Sequence, residues 1–181
     1  LLILFLSIPF GLFQVRFAKK RIGIVMHIVN QVFMAIPSFF LGVLIILVFG
    51  LILKWFTPGR YVSYTENKIG FFLYLIAPAM AIAVPKSAMV VKFLRNSVLE
   101  QGQNDYVRTA YSKGNTEQKV FYGHILKNAL IPVVTILGMM AAETMAGSIV
   151  VEQVFNLPGL GRLLVSSIGS RDYPVVQAIL V

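Results

Sequence analysis

The sequence predicts an all-α fold, a polytopic transmembrane helical bundle, and three observations carry that reading. Hydrophobic residues make up 57% of the 181 positions and charged residues only 13%, about half the ~25% of a typical soluble domain. Between Ile22 and Leu53 there is no Lys, Arg, Asp or Glu, a run well beyond the roughly 20 residues that a helix needs to cross the hydrocarbon. The basic residues behind the formal net charge of +9 sit mainly in the gaps between apolar runs. Cytoplasmic loops of multispanning proteins carry Lys and Arg in that way, whereas a nucleic-acid surface would gather them on one face. Mean hydropathy is +0.81, and the absence of cysteine excludes disulfides and thiolate metal sites.

The elements follow in order as one domain over residues 1–181. "LLILFLSIPFGLF" gives a partial span at about 1–13. It begins without methionine, and no basic region precedes it as a signal peptide requires. The chain stops inside "PVVQAILV", a second partial span at 174–181. The expectation is the interior of a longer chain, truncated at both ends. A basic loop with Arg16, Lys19, Lys20 and Arg21 leads through "IGIVMHIVN", an interfacial segment, to a span at 31–53. "IGFFLYLIAPAMAIAVP" opens a span at 71–93, with Lys86 as its early charge, and a polar loop occupies 97–127. "NALIPVVTILGMMAAETMAGSIVV" supplies a span at 128–150, interrupted only by Glu143. Five spans are therefore wholly or partly visible.

Successive loops alternate sides of the membrane. The loops at 14–21 and 95–127 together carry nine basic residues, against five at Lys54, Arg60, Lys68, Arg162 and Arg171. The excess puts 97–127 in the cytoplasm. Pro37, Pro78, Pro85 and Pro132 fall inside or at the edge of spans, where neighbouring groups can satisfy the carbonyls that proline frees. Kinks suit a pathway that opens and closes, but static bundles also contain them. Gly138, Ala142 and Ala146 repeat at four-residue spacing and read as a close-packing face.

Within the cytoplasmic loop, "DYVRTAYSKGN" predicts a short helix. Asn104 or Asp105 offers an N-cap oxygen. Tyr106 and Ala110 share a face, with Val107 and Tyr111 beside them. Gly114 suits the left-handed residue that ends a helix, and Asn115 with Gln118 resembles a second capping pair that starts another helix. Three readings of this element stand on periodicity alone: a connector, an amphipathic helix on lipid headgroups, or a helix that docks in a partner's groove.

"DYVRTAYSKG" followed by "HILKNALIPVVT" closely resembles the cytoplasmic signature of ABC importer permeases of the dipeptide, oligopeptide and nickel family. "GSIVVEQVFNLPGLGRLL" and "RDYPVVQAIL" match that family's later outer loop and the start of its last span. These motifs run in the family's order from about Ser97 onward; the N-terminal part agrees in hydropathy and in "AIPSFFLGVLI". Arg108, Thr109 and Ala110, then Gly114, occupy the first part of the signature, with His124 and Leu126 further on and Lys127 where proline is usual. Arg-Thr-Ala and His-x-Leu are similar to the peptide and nickel branch.

The resemblance implies a permease subunit of an ATP-driven importer in the cytoplasmic (inner) membrane of a prokaryote, multi-pass and bathed in membrane lipid. It implies transport of short peptides by alternating access, with nickel or a metal chelate as the alternative cargo. It further implies an ATPase-coupling loop at Asp105, Tyr106, Arg108, Thr109, Ala110, Lys113, Gly114 and His124. Glu152, Pro158, Gly159 and Gly161 would lie in the outer loop, near the docking of an extracytoplasmic substrate-binding protein. The remaining partners implied are a second homologous permease subunit and two cytoplasmic ATPase subunits, which use ATP–Mg while this chain binds no cofactor.

The residues themselves offer no catalytic set. There is no Gly-x-x-x-x-Gly-Lys-Ser/Thr phosphate loop, so ATP must bind elsewhere. His27 and His124 are 97 positions apart and no HExxH occurs, which favours packing or interface roles over metal ligation. An intramembrane aspartyl protease would need paired aspartates within spans, and Asp105 and Asp172 both lie in loops. "NLPGLGRLL" lacks the lysine and strand context of a phosphate loop, and Pro158-Gly159 reads as a turn. Glu143 has two readings: it lines the pathway or the interface with the second permease, or its span is shifted and it sits near the outer boundary. A membrane scaffold without transport is the contrasting class, and it predicts no co-purifying ATPase.

Overall fold

The computed structural model describes residues 1–18, 20–59, 62–65 and 67–180, without the side chains of 145–147. Lys19, Arg60, Val181 and the side chain of Ala146, used above for charge, span and packing, lie outside the described residues. Among the described residues all regular structure is helical, as the composition predicts. The chain divides into two units: residues 1–35 with 84–141, and residues 36–83 with 142–181.

The first unit begins with α1 (Leu2–Arg16) and α2 (Arg21–Ala35). The buried side of α1 is the stripe Ser7, Gly11 and Gln14. A Cβ at Gly11 would lie 2.7 Å from Leu94 Cδ2, so α1 approaches the long helix α4 (Lys68–Gln101) at glycine distance. Polar side chains hold these helices together. Gln14 Nε2 donates to the Met26 carbonyl at 3.0 Å, and Asn30 Nδ2 donates to the Ala88 carbonyl at 2.8 Å. Such bonds fix which turns face each other where apolar contacts alone discriminate poorly.

The core of this unit joins Val90, Leu94 and Val98 of α4 to the helices of the 97–127 loop. These are α5 (Asp105–Ser112) and α6 (Glu117–Val120), which passes through a π-helical turn, Phe121–Ile125, into α7 (Leu126–Phe155). Val107, Ala110, Val120, Ile125, Ala129 and Val133 complete the cluster.

In the second unit, α3 (Ser38–Ile45) continues as a π-helical segment, Ile46–Ile52. Ala77, Ala81, Val151 and Phe155 form the core here, and the Tyr74 hydroxyl donates to the Phe155 carbonyl. Two further helices follow, α8 (Leu160–Gly169) and α9 (Tyr173–Leu180).

Residues 71–93 lie within α4, 128–150 within α7, 2–13 within α1 and 174–180 within α9. At 34 residues, α4 is about 51 Å long, longer than the ~30 Å hydrocarbon, so its ends extend beyond it. Among the described residues, two helices are long and apolar enough to cross a membrane, and a third candidate arises if α2 and α3 count as one broken span. The run 31–53 is not the single continuous helix expected. It ends at Ala35 and restarts at Ser38, with Pro37 extended at φ −61°, ψ 141°. Proline disfavours helical geometry in the residue before it and supplies no N–H. Pro78, Pro85 and Pro132 nevertheless lie inside α4 and α7 without ending them.

Candidate functional site

The segment 105–125 belongs wholly to the first unit and forms the helix, turn and helix expected. Helix α5 begins after Asn104, whose backbone is extended at φ −73°, ψ 151°. Its side chain makes no cap and instead donates to Gln101 Oε1 at 3.1 Å, an oxygen that also receives the Tyr106 hydroxyl at 2.8 Å. The expected side-chain cap at Asn104 or Asp105 is therefore replaced by a tie back to the end of α4.

The other end is as the sequence predicts. Gly114 has φ +77°, and its N–H donates to the Tyr111 carbonyl at 2.9 Å. Asn115 does not start the next helix: its Nδ2 turns back to the Ala110 carbonyl at 3.0 Å, satisfying an acceptor left over at the end of α5. The cap of α6 is one residue later. Thr116 Oγ1 accepts from the Lys119 N–H at 3.4 Å.

The faces of α5 separate cleanly. Val107 is 3% exposed and Ala110 6%, both in the core of the chain itself, with Tyr106 packed against them. Ala110, expected on a face offered to a partner, points inward, because its one-turn neighbour Val107 draws that stripe onto α4 and α7. The outward face carries Asp105, Arg108, Thr109, Tyr111 and Ser112. Arg108 and Asp105 lie 3.7 Å apart, one turn from each other, and both are highly exposed, so their pairing contributes little stability. Thr109 and Ser112 return their hydroxyls to the carbonyls of Asp105 and Arg108. Lys113 and His124 are exposed, and His124 sits in the π-helical turn.

In the second unit, Glu152, Pro158, Gly159 and Gly161 assemble one structure. Glu152 Oε2 accepts the backbone N–H of Gly161 at 2.8 Å and of Arg162 at 3.2 Å, while Oε1 accepts the Ser148 hydroxyl at 3.3 Å. A carboxylate from α7 thus meets the N-terminal amides of α8, where the helix dipole favours negative charge. The glycines make room for it. A Cβ at Gly159 would collide with the Glu152 carboxylate, and one at Gly161 would come within 2.6 Å of Ile149 Cα. Asn156, at φ +55°, ends α7, donates Nδ2 to the Gly59 carbonyl at 3.2 Å and accepts Arg162 Nη1 at 3.4 Å. Sequence reasoning found the turn but missed the cap. The available signal was an acid several residues ahead of a glycine-flanked helix start. Glu143 lies on the exposed side of α7.

Residues 7–181 match the family described as binding-protein-dependent transport system inner membrane component. Oligopeptide transport system permease protein AppB of Bacillus subtilis is 39% identical over 183 residues, covering 100% of this chain and 58% of AppB. Glutathione transport system permease protein GsiC of Pectobacterium atrosepticum is 42% identical, with 87% of this chain and 48% of GsiC covered. GsiC of Escherichia coli O1:K1 is 43% identical over 78% of this chain and 44% of its own length. The chain spans about half the length of these relatives.

Proposed function

The chain belongs to the binding-protein-dependent transport system inner membrane component family, and from that premise we propose that it serves as the transmembrane permease subunit of an ATP-driven importer of short peptides. Its relatives' names support peptides over nickel as cargo. The observation that carries the mechanism is the two-faced helix α5. Its polar face, Asp105, Arg108, Thr109 and Ser112, is exposed and suited to a cleft in a cytoplasmic ATPase. Its apolar face, Val107 and Ala110, is packed into the cluster that contains Leu94 and Val98 of α4 and Ile125 and Ala129 around the start of α7. A well-packed core transmits displacement without yielding. Movement of α5 by a closing ATPase pair therefore shifts the ends of both long helices together and changes access to the pathway. ATP–Mg is used by that partner, and this chain contributes no catalytic group.

The assembly in this reading contains a second permease, two ATPase subunits and an extracytoplasmic binding protein that docks near the Glu152-capped loop. Glu143, exposed on α7, lines the pathway or the interface with the second permease. The experiment is reconstitution of the whole complex in vesicles. A peptide-loaded binding protein should stimulate ATP hydrolysis and peptide uptake together. A complex in which no ATPase co-purifies with this chain would instead support a membrane scaffold.

A further inference from the structure

Helix α5 is attached to α4 by more than its apolar stripe, and the second attachment is made by a residue outside the 105–114 stretch. Gln101 is the last residue of α4 and is half-buried. It follows Leu94 and Val98 at helical spacing, so it extends their inner stripe toward α5. Its Oε1 receives the Asn104 side-chain amide at 3.1 Å and the Tyr106 hydroxyl at 2.8 Å. Turning both amides over would make Gln101 the donor to Asn104 and Tyr106. The same three side chains are joined in either assignment.

The corner between the helices depends on this tie. Only Gly102, Gln103 and Asn104 separate α4 from α5, and glycine leaves the backbone more freedom than any other residue. The Asn104 side chain does not cap α5, so the entry angle is not fixed from within the helix. Packing of Val107 and Ala110 in the cluster with Leu94 and Val98 holds α5 close, but hydrophobic contact is non-directional and lets the helix roll. A hydrogen bond weakens steeply as it bends. The pair at Gln101 therefore sets the roll.

We propose that Gln101 is a positioning residue for coupling: it locks the first turn of α5 to the last turn of α4, so that both turn as one body when an ATPase moves α5. The inference rests on the transport reading above and adds to its apolar packing a polar lock at the α4–α5 corner. Without the lock, α5 rolls in place and part of the motion is lost before it reaches α4.

Two readouts on the complete reconstituted complex test it. One is hydrogen exchange at the Val107 amide, which donates to the Asn104 carbonyl at 3.0 Å. The other is the number of peptides imported per ATP hydrolysed. One such hydrogen bond changes an opening equilibrium about fivefold. Tyr106→Phe, which deletes one hydroxyl, should speed Val107 exchange by about that factor, and Gln101→Ala, which removes both bonds, by about 25-fold. Both should lower the peptide imported per ATP. Gln101→Ala should leave the ATPase subunits co-purifying, because Gln101 lies off the exposed polar face of α5. Gln101→Glu keeps an acceptor for both donors and should restore both readouts, which guards against loss through misfolding. Faster exchange with a wild-type peptide-to-ATP ratio in Gln101→Ala would reduce the residue to a structural tie and overturn the proposal. Wild-type exchange in Gln101→Ala, or equal impairment in Gln101→Glu, would overturn it too. A wild-type complex whose ATP hydrolysis ignores the peptide-loaded binding protein would fail the transport reading itself, and the coupling role with it.

Discussion

Replacing Glu152 with alanine removes the oxygen that receives the Gly161 and Arg162 amides at 2.8 and 3.2 Å. A hydrogen bond to a charged acceptor contributes about 1.5–3 kcal/mol, and a negative charge at a helix N-terminus a further 0.3–1 kcal/mol or so. The carboxylate is half-buried and one oxygen serves both donors, so the lower end applies, about 2 kcal/mol in all. The loss is local to the α7–α8 connection. Hydrogen exchange at the Gly161 and Arg162 amides should therefore accelerate roughly 30-fold while the amides of α4 keep their protection. Glu152→Gln, which retains an acceptor without the charge, should give about a fivefold change. Gly159→Ala should reproduce the alanine phenotype without touching the acid, since its Cβ displaces the carboxylate. Wild-type exchange at both amides in Glu152→Ala would refute the capping argument.

Gly114→Val places a β-branched residue at φ +77°, a strain of about 1–3 kcal/mol, and should reduce peptide-stimulated ATP hydrolysis. Gly114→Asn, tolerated in that conformation, should retain most of it, and equal activity of the two would show that the turn is not needed. Arg108→Glu should leave the complex folded but weaken ATPase co-purification. Ala110→Glu should instead destabilise the first unit by about 3 kcal/mol or more, because it buries an uncompensated charge; thermal unfolding in detergent separates the two. Single cysteines at Ser112 should resist an impermeant thiol reagent in intact cells, while those at Thr65 and Ser170 should react, and the reverse pattern would invert the topology. Glu143→Gln should lower uptake without changing assembly, and unchanged uptake kinetics would remove Glu143 from the pathway.

Local chemistry was legible in the sequence, and direction was not. A polar run and a glycine define α5 and its end, because helix termination is decided within a few residues, whereas the expected side-chain cap does not form. The four-residue periodicity paired Tyr106 with Ala110 and Val107 with Tyr111, whereas the structure buries Val107 with Ala110 and leaves Tyr111 exposed, and it gave no indication that the buried face belongs to the chain's own core. That depends on Leu94 and Val98, which come from a different helix. Four prolines looked alike in sequence. Only Pro37 separates two helices, whereas Pro78, Pro85 and Pro132 are absorbed by helices that extend for several turns on either side. The Glu152 cap required knowing that α8 folds back toward the acid, a tertiary fact.

The π-helical turn at Phe121–Ile125 has a consequence for how this segment tolerates changes in length. The buried positions Val120, Ile125, Ala129 and Val133 are separated by one interval of five residues and then by intervals of four. The wider step means that the helix accommodates a supernumerary residue within a single turn, and every later position keeps its phase against the core. Deleting Gly123, where an added Cβ meets no atom within 4 Å, would convert the turn to ordinary α-helix and bring the first interval to four. The inner stripe would survive that deletion intact, while the exposed residues Tyr122 and His124 would become adjacent in sequence and their outward bearings would change. A one-residue gap at this point in a related chain therefore signals a re-aimed exposed face of this segment, with the core beneath it unchanged.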